Sequence, residues 1–212
     1  MKSFTIEQNE YLNQNIQGFH HTDYVAYENR NEIENYPMYL LTLKNDPNHN
    51  WWHSKLQNAQ NEFLRVLLID IPEISLQINK KPLMVCVVPR SKSENTYNAN
   101  QLLFKATVRN AVNQLGNNFI DGTNLIARHT NTKTTHIRKP IEGFNNDGLM
   151  PYVGITNATC NIYNDIIGKD ILLIDDIYTH TVNIDEDAIQ SLLDKGANSV
   201  SFYAVGKTVH NH

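Results

Sequence analysis

Two adjacent carboxylates, Asp175 and Asp176, directly follow the apolar run at residues 171–174. Carboxylates in such a place can accept hydrogen bonds from the hydroxyl groups of a polyol. A short segment rich in hydroxyl and amide side chains follows at residues 178–183. The backbone N–H groups of a loop that leads into a helix suit a phosphate. The stretch therefore predicts a site that takes a polyol at one end and an anion at the other.

The elements around these residues explain how they could be positioned. The unbroken apolar run at 171–174 predicts a strand that is buried on both faces of a parallel sheet. Apolar residues then recur at helical spacing up to Gly196, which stands where a helix would end. This order of strand, acids, loop and helix places the acids at the carboxyl end of a strand, where open α/β sheets bind ligands. The helical apolar positions are Ile184, Ala188, Ile189, Leu192 and Leu193.

The sequence from 171 to 187, ILLIDDIYTHTVNIDED, resembles the motif that binds phosphoribosyl pyrophosphate (PRPP) in type I phosphoribosyltransferases. It is most similar to the ComF-like and amidophosphoribosyltransferase-like group, whose motif reads approximately LLVDDVYTTGAT. Thr181 replaces the usual Gly and Asn183 the usual Thr. The resemblance implies an α/β fold, with a mostly parallel sheet flanked by helices in a Rossmann-like core at residues 81–212. It also implies an N-terminal hood or extension at residues 1–80, packed on that core.

The resemblance implies Mg²⁺-dependent transfer of a phosphoribosyl group from PRPP to an unidentified small-molecule acceptor, with release of pyrophosphate. It makes Asp175 and Asp176 the catalytic residues, which bind the ribose hydroxyls and hold Mg²⁺ mostly indirectly. A loop of six residues would bind the 5′-phosphate. These residues are Tyr178, Thr179, His180, Thr181, Val182 and Asn183.

A second candidate segment follows the apolar strand predicted at residues 84–88. In the resembling family, the loop after the first core strand receives pyrophosphate, whose developing charge needs cations and backbone donors. Arg90, Ser91 and Lys92 are therefore the pyrophosphate candidates; the alternative is a set of ordinary solvated residues. Helical spacing from 98 to 115, closed by Gly116, predicts a helix that completes a β-loop-α unit.

Residues 129–150 are polar and poor in aliphatic side chains. Long segments of this kind inside a domain are usually functional or disordered. The resembling family has a mobile loop at about this place that closes over PRPP. Lys133, His136 and Arg138 could reach the pyrophosphate from it, and a plain surface loop is the alternative.

Short strands are predicted at 125–128, 151–156 and 200–205.

The N-terminal portion, over positions 1–80, carries weaker patterns. Apolar clusters predict two short strands, near residues 24–27 and 38–43, and a 3.6-residue period predicts a helix over 51–68. The zinc-binding module that often precedes the core in ComF-like proteins is absent, because this region has no cysteine. Its histidines lack the further ligands that would indicate a metal site.

Composition limits the function classes further. The 212 residues carry a formal net charge of −4, so no global basic surface indicates nucleic acid. Two cysteines without metal-ligand spacing favour a reducing cytoplasm over a disulfide scaffold. The sequence shows neither a signal peptide nor an apolar run of membrane-spanning length. We expect PRPP and a small-molecule acceptor as partners and no membrane, and we leave open a homodimer and a protein or nucleic-acid partner.

Other interpretations of the acidic pair are weaker. Haloacid-dehalogenase-like phosphatases separate their two aspartates by one residue, and receiver domains carry their pair near the start of the domain. The GKT at 206–208 lacks the upstream glycine of a phosphate-binding P-loop, because position 201 is serine. A solvated acidic turn stays open, as do two functional alternatives: a non-catalytic PRPP or nucleotide sensor, and an effector or interaction protein in DNA uptake, repair or phage defence.

Overall fold

The computed structural model describes residues 1–34, 36–44, 51–134, 146, 148, 154–156 and 158–209. Eight strands and four α-helices lie in this part of the chain. The strands are β1 (Lys2–Ile6), β2 (Ile16–Tyr24), β3 (Leu83–Val87), β4 (Phe119–Asp121), β5 (Ile126–Arg128), β6 (Cys160–Ile162), β7 (Asp170–Tyr178) and β8 (Ser199–Thr208). The helices are α1 (Met38–Lys44), α2 (His53–Ile78), α3 (Leu103–Leu115) and α4 (Ile184–Asp194).

Six of the strands form one sheet in the order β1-β2-β8-β7-β3-β4. All neighbours in it run parallel except β1 and β2, which are antiparallel. The expected α/β class, with a mostly parallel sheet flanked by helices, is confirmed. The strands β5 and β6 pair with each other in a separate antiparallel sheet.

Apolar side chains cover both faces of β7, the strand that carries the acids. Ile171 and Leu173 face a core shared with α4, whereas Leu172 and Ile174 face a second core shared with α1, α2 and α3. Each of the four side chains is at most 1% exposed. Full burial of an aliphatic side chain stabilises the fold by about 1.5–3 kcal/mol, which explains why this run forms a central strand.

The connections on either side of β3 and β7 diverge. The chain leaves β3 through α3 to β4, the strand on the outer side of β3, whereas it leaves β7 through α4 to β8, on the opposite side. The boundary between the paired strands β3 and β7 is therefore the point at which strand order reverses. Ligands of open α/β sheets bind in the crevice outside such a point. The Val88 N–H donates to the Ile174 carbonyl at 2.9 Å, just before the two strands separate.

The N-terminal predictions need correction. The segment predicted as a strand at 38–43 is the helix α1, which buries Tyr39, Leu40 and Leu43 at helical spacing. The other predicted strand, near 24–27, is also misplaced, because β2 already ends at Tyr24 and a 3₁₀ helix follows over Tyr27–Glu32. The helix predicted over 51–68 is real but longer, because α2 continues through Pro72 to Ile78. Residues 1–80 contribute β1 and β2 to the main sheet.

Three other segments differ in detail. The predicted strand at 125–128 exists as β5 but belongs to the small sheet. The helix predicted over 98–115 divides into a 3₁₀ helix, Ala99–Leu102, and α3. Residues 154–156 are not a strand, and 151–153 lie outside the described residues. None of the helices in the described ranges combines the length and the apolar composition that crossing a membrane requires.

Candidate functional site

The two acids lie inside β7 and not beyond its end. The strand continues past them to Tyr178, which pairs with Lys207 of β8. Because side chains alternate along a strand, Asp175 and Asp176 point to opposite faces of the sheet. Asp175 meets Asp185 of α4, whereas the Asp176 carboxylate lies 3.4 Å from the Lys44 ammonium of α1. Both acids border the reversal point, but each faces a different helix.

Asp175 and Asp185 form a pair of carboxyl groups. Burial, together with the charge of Asp176, raises the pKa of Asp175. Burial and the proximity of Asp175 raise the pKa of Asp185 well above its ordinary value. Two carboxyl groups this close cannot both ionise easily, so the pair favours the retention of a proton. Asp185 is only 5% exposed, and its Oδ1 has no hydrogen-bond partner within the described ranges.

The loop between β7 and α4 is short and internally bonded. The Val182 N–H donates to the Thr179 carbonyl at 3.0 Å, and the Thr179 hydroxyl bonds that of Thr208 at 2.8 Å. Thr181 is exposed and keeps an ordinary φ; Asn183, at +57°, adopts the left-handed conformation. The position that requires special backbone freedom is therefore two residues later than the glycine of the resembling motif.

The first turn of α4 is acidic and engaged with the protein. Tyr178 is buried, and its hydroxyl donates to Glu186 Oε1 at 2.8 Å. Asp187 Oδ2 accepts from the Ile155 N–H at 2.5 Å. These carboxyl groups complement the positive end of the helix dipole. Their negative charge also offsets the positive potential at the start of α4, which would otherwise attract the phosphate predicted to bind next to Tyr178, Thr179 and His180.

The three pyrophosphate candidates all contact protein groups. Arg90 Nη1 donates to the carbonyls of Lys44, at 2.7 Å, and of Gln101, at 2.9 Å. Lys92 is only 4% exposed, and its ammonium donates to the Thr132 carbonyl at 2.8 Å. The Ser91 hydroxyl bonds that of Thr134 at 2.6 Å. A pyrophosphate role for these residues stays a prediction.

The segment predicted to close over PRPP is described only at its start. Lys133 is half-buried, whereas His136 and Arg138 lie outside the described residues. The start of the segment packs on the loop after β3, because the Thr132 N–H donates to the Ser91 carbonyl at 2.8 Å. The Ser93 N–H also donates to Asn131 Oδ1 at 3.0 Å.

Lys44 is the site residue that sequence reasoning missed. It ends a short apolar run for which the sequence predicts a strand, whereas this run forms the helix α1. Periodicity over so few residues does not separate a strand from a buried helix. Its position beside Asp176 depends on the packing of α1, which no local pattern encodes.

Asp176 fits a magnesium ion that arrives with its ligand. The described ranges contain no group of three or more His, Cys, Asp or Glu side chains placed to hold a metal. Mg²⁺ usually keeps several waters and binds through one or two carboxylates plus the phosphates of a substrate. Asp176 offers carboxylate oxygens of this kind, whereas Asp175 faces Asp185 on the opposite side of the sheet, so the predicted joint metal role of the two acids does not fit this geometry.

No protein-family model matches this sequence, and no curated protein matches it. The resemblance to phosphoribosyltransferases therefore depends mainly on the motif at residues 171–187.

Proposed function

We propose that this protein binds PRPP with Mg²⁺ and transfers the phosphoribosyl group to an unidentified acceptor, with release of pyrophosphate. One observation carries the proposal. Asp175 and Asp176 border the strand-order reversal between β3 and β7, and a short loop and a helix follow them. An open α/β sheet binds ligands at such a place, and this order of elements agrees with the motif that the sequence resembles.

The chemistry is displacement at the anomeric carbon of PRPP. Asp176, which faces Lys44, would accept hydrogen bonds from the ribose hydroxyls. As the bond to pyrophosphate breaks, positive charge builds on the sugar ring, and a nearby carboxylate stabilises it. The carboxylate of Asp176 would hold Mg²⁺, which would neutralise charge on the departing pyrophosphate; Asp175 faces Asp185 on the other side of the sheet. The remaining contribution of the protein is to align the acceptor with the anomeric carbon.

A PRPP sensor is the second candidate, and one observation favours it. Glu186 and Asp187 lie in the first turn of α4, bonded to Tyr178 and to the Ile155 N–H, directly after the loop expected to bind the 5′-phosphate. Negative charge at this helix end opposes a second anion there. The ribose hydroxyls would still bind to Asp176. The 5′-phosphate, which tight and productive binding requires, would be poorly held.

Calorimetry with PRPP and Mg²⁺, together with an assay for pyrophosphate release, separates the two candidates. Binding with release in the presence of acceptor candidates supports the transferase, whereas binding without release supports the sensor. An absence of binding contradicts both. Asp176→Asn should weaken PRPP binding by about tenfold or more, because it removes a charged acceptor worth about 1.5–3 kcal/mol. Asp165→Asn, at an exposed acid ahead of β7, is the matched control and should bind as the unmodified protein does.

A further inference from the structure

We propose that Lys44 is the cation that binds the pyrophosphate group of PRPP and that Arg90 is a positioning residue for it; this inference rests on the proposed function. Lys44 is the last residue of α1, in the N-terminal part of the chain. Its ammonium reaches the edge of the sheet where β3 and β7 separate, at 3.4 Å from Asp176 Oδ2. The side chains of Lys44 and Asp176 are 21% and 27% exposed, so the pair is partly enclosed but accessible to a ligand.

Arg90 holds the main chain from which Lys44 extends. Its Nη1 donates to the Lys44 carbonyl and to the Gln101 carbonyl, which joins the end of α1 to the 3₁₀ helix ahead of α3. The guanidinium also lies 4.7 Å from the centroid of the Tyr97 ring. A cation that binds the last carbonyls of a helix stabilises that end. These hydrogen bonds therefore hold the main chain of Lys44 near the point at which strand order reverses.

The chemistry of the ligand matches this pair of charges. In PRPP the pyrophosphate is attached to the carbon next to the one that carries the 2-hydroxyl group. A carboxylate for the hydroxyl groups and an ammonium beside it would meet these adjacent parts of one molecule. An ammonium has three N–H donors, so it can bind a carboxylate and a phosphate oxygen at the same time.

The other basic residues predicted for pyrophosphate are less suitably placed. Lys92 is buried, and its ammonium donates to the Thr132 carbonyl. Arg90 directs Nη1 to two main-chain carbonyls. Lys44, in contrast, forms its described ion pair with Asp176, which is one of the two carboxylates predicted for the site.

Calorimetry with three ligands tests the assignment, each in the presence of Mg²⁺: PRPP, inorganic pyrophosphate and ribose 5-phosphate. Lys44→Gln should weaken PRPP and pyrophosphate binding by about tenfold or more, since charge-assisted hydrogen bonds are the strong ones. Ribose 5-phosphate, which lacks the pyrophosphate, should change by less than about twofold. Lys80→Gln is the matched control, because Lys80 pairs at 3.1 Å with Asp170 at the opposite end of β7. It should leave all three affinities unchanged.

A double substitution tests the positioning role. Arg90→Met should weaken pyrophosphate binding in the unmodified protein but cause no further loss when Lys44→Gln is already present. A residue that only supports the fold would cause the same loss in both backgrounds. Arg90→Lys, which keeps the charge but not the planar guanidinium, replaces Arg90→Met if the latter does not fold.

The outcomes separate this inference from the proposed function. If the unmodified protein binds PRPP and Lys44→Gln binds it equally well, the Lys44 assignment is overturned alone. An equal loss for PRPP and for ribose 5-phosphate also overturns it, because Lys44 would then act only on Asp176. If pyrophosphate binds through Lys44 but PRPP does not bind, the cation site stands and the proposed function fails. Binding of neither ligand overturns both.

Discussion

Asp175 and Asp176 are neighbours in sequence, but their side chains lie on opposite faces of β7 and contact different residues. Asp175 shares a proton with Asp185 on the α4 face, whereas Asp176 pairs with Lys44 on the α1 face. Residue types and spacing predicted that two acids would stand at the carboxyl end of a strand. They did not predict which face each acid would occupy, because that depends on how far β7 continues in its pairing with β8.

The proton shared by Asp175 and Asp185 should make stability depend on pH. Both pKa values are raised on folding, chiefly by burial, so the folded state binds more protons than the unfolded chain between the ordinary and the raised values. Stability therefore falls as pH rises through that window. Asp185→Asn removes one acid and keeps a donor for Asp175, so it should raise the melting temperature more at about pH 8 than at about pH 5.

Thermal unfolding at several pH values measures this difference directly. Asp194→Asn, at an exposed acid at the end of α4, is the control and should shift the melting temperature little at any pH. A shift for Asp185→Asn that is the same at every pH would show that this pair retains no extra proton.

Elements differ in how well the sequence predicted them. The unit of β7 and α4 was predicted because a buried strand and an amphipathic helix leave strong patterns of different period. The short helix α1 was mistaken for a strand because a brief apolar run fits both structures. The small strands β4 and β6 were missed, since three residues are too few to show alternation.

The loop between β7 and α4 gives a prediction for Asn183. This residue has a φ of 57°, where a side chain with a Cβ is strained and Asn is tolerated better than most. Asn183→Ala should lower the free energy of unfolding by about 1 kcal/mol, whereas Asn183→Gly should leave it unchanged or raise it.

Chemical denaturation of both Asn183 variants provides the measurement. Thr181→Ala is the control, since Thr181 is exposed and keeps an ordinary φ. This control should change stability by less than about 0.5 kcal/mol, as surface substitutions usually do. Equal losses for Asn183→Ala and Asn183→Gly would indicate that the Asn183 side chain, which accepts a hydrogen bond from Asn9, matters more than its backbone.

At the scale of the molecule, one sheet carries two apolar cores. The resemblance at residues 171–187 implied the α/β class, and the two strand-loop-helix units of β3 with α3 and of β7 with α4 agree with it. The extension of the sheet by β1 and β2 was not predicted, because these strands mix polar and apolar residues. The strand β2 owes its place to pairing with β8, and β1 owes its place to pairing with β2. The reversal of strand order between β3 and β7 likewise depends on how the strands assemble, which no single segment determines.

The central position of β7 predicts a steep contrast between core and surface leucines. Leu173→Ala should lower the free energy of unfolding by about 2–5 kcal/mol, because the side chain is fully buried and leaves a cavity. Leu76, on α2, is 68% exposed. Leu76→Ala should therefore cost less than about 0.5 kcal/mol. Urea titration of the two variants measures both values, and similar losses would contradict the burial of β7 between two cores.

The most direct test of the central claim is a crystal structure of the protein grown with excess PRPP and Mg²⁺. We predict that the sugar occupies the crevice between β3 and β7, with its hydroxyl groups within hydrogen-bond distance of Asp176 and its pyrophosphate beside Lys44. A crevice without ligand, in crystals where PRPP is saturating, would contradict the assignment.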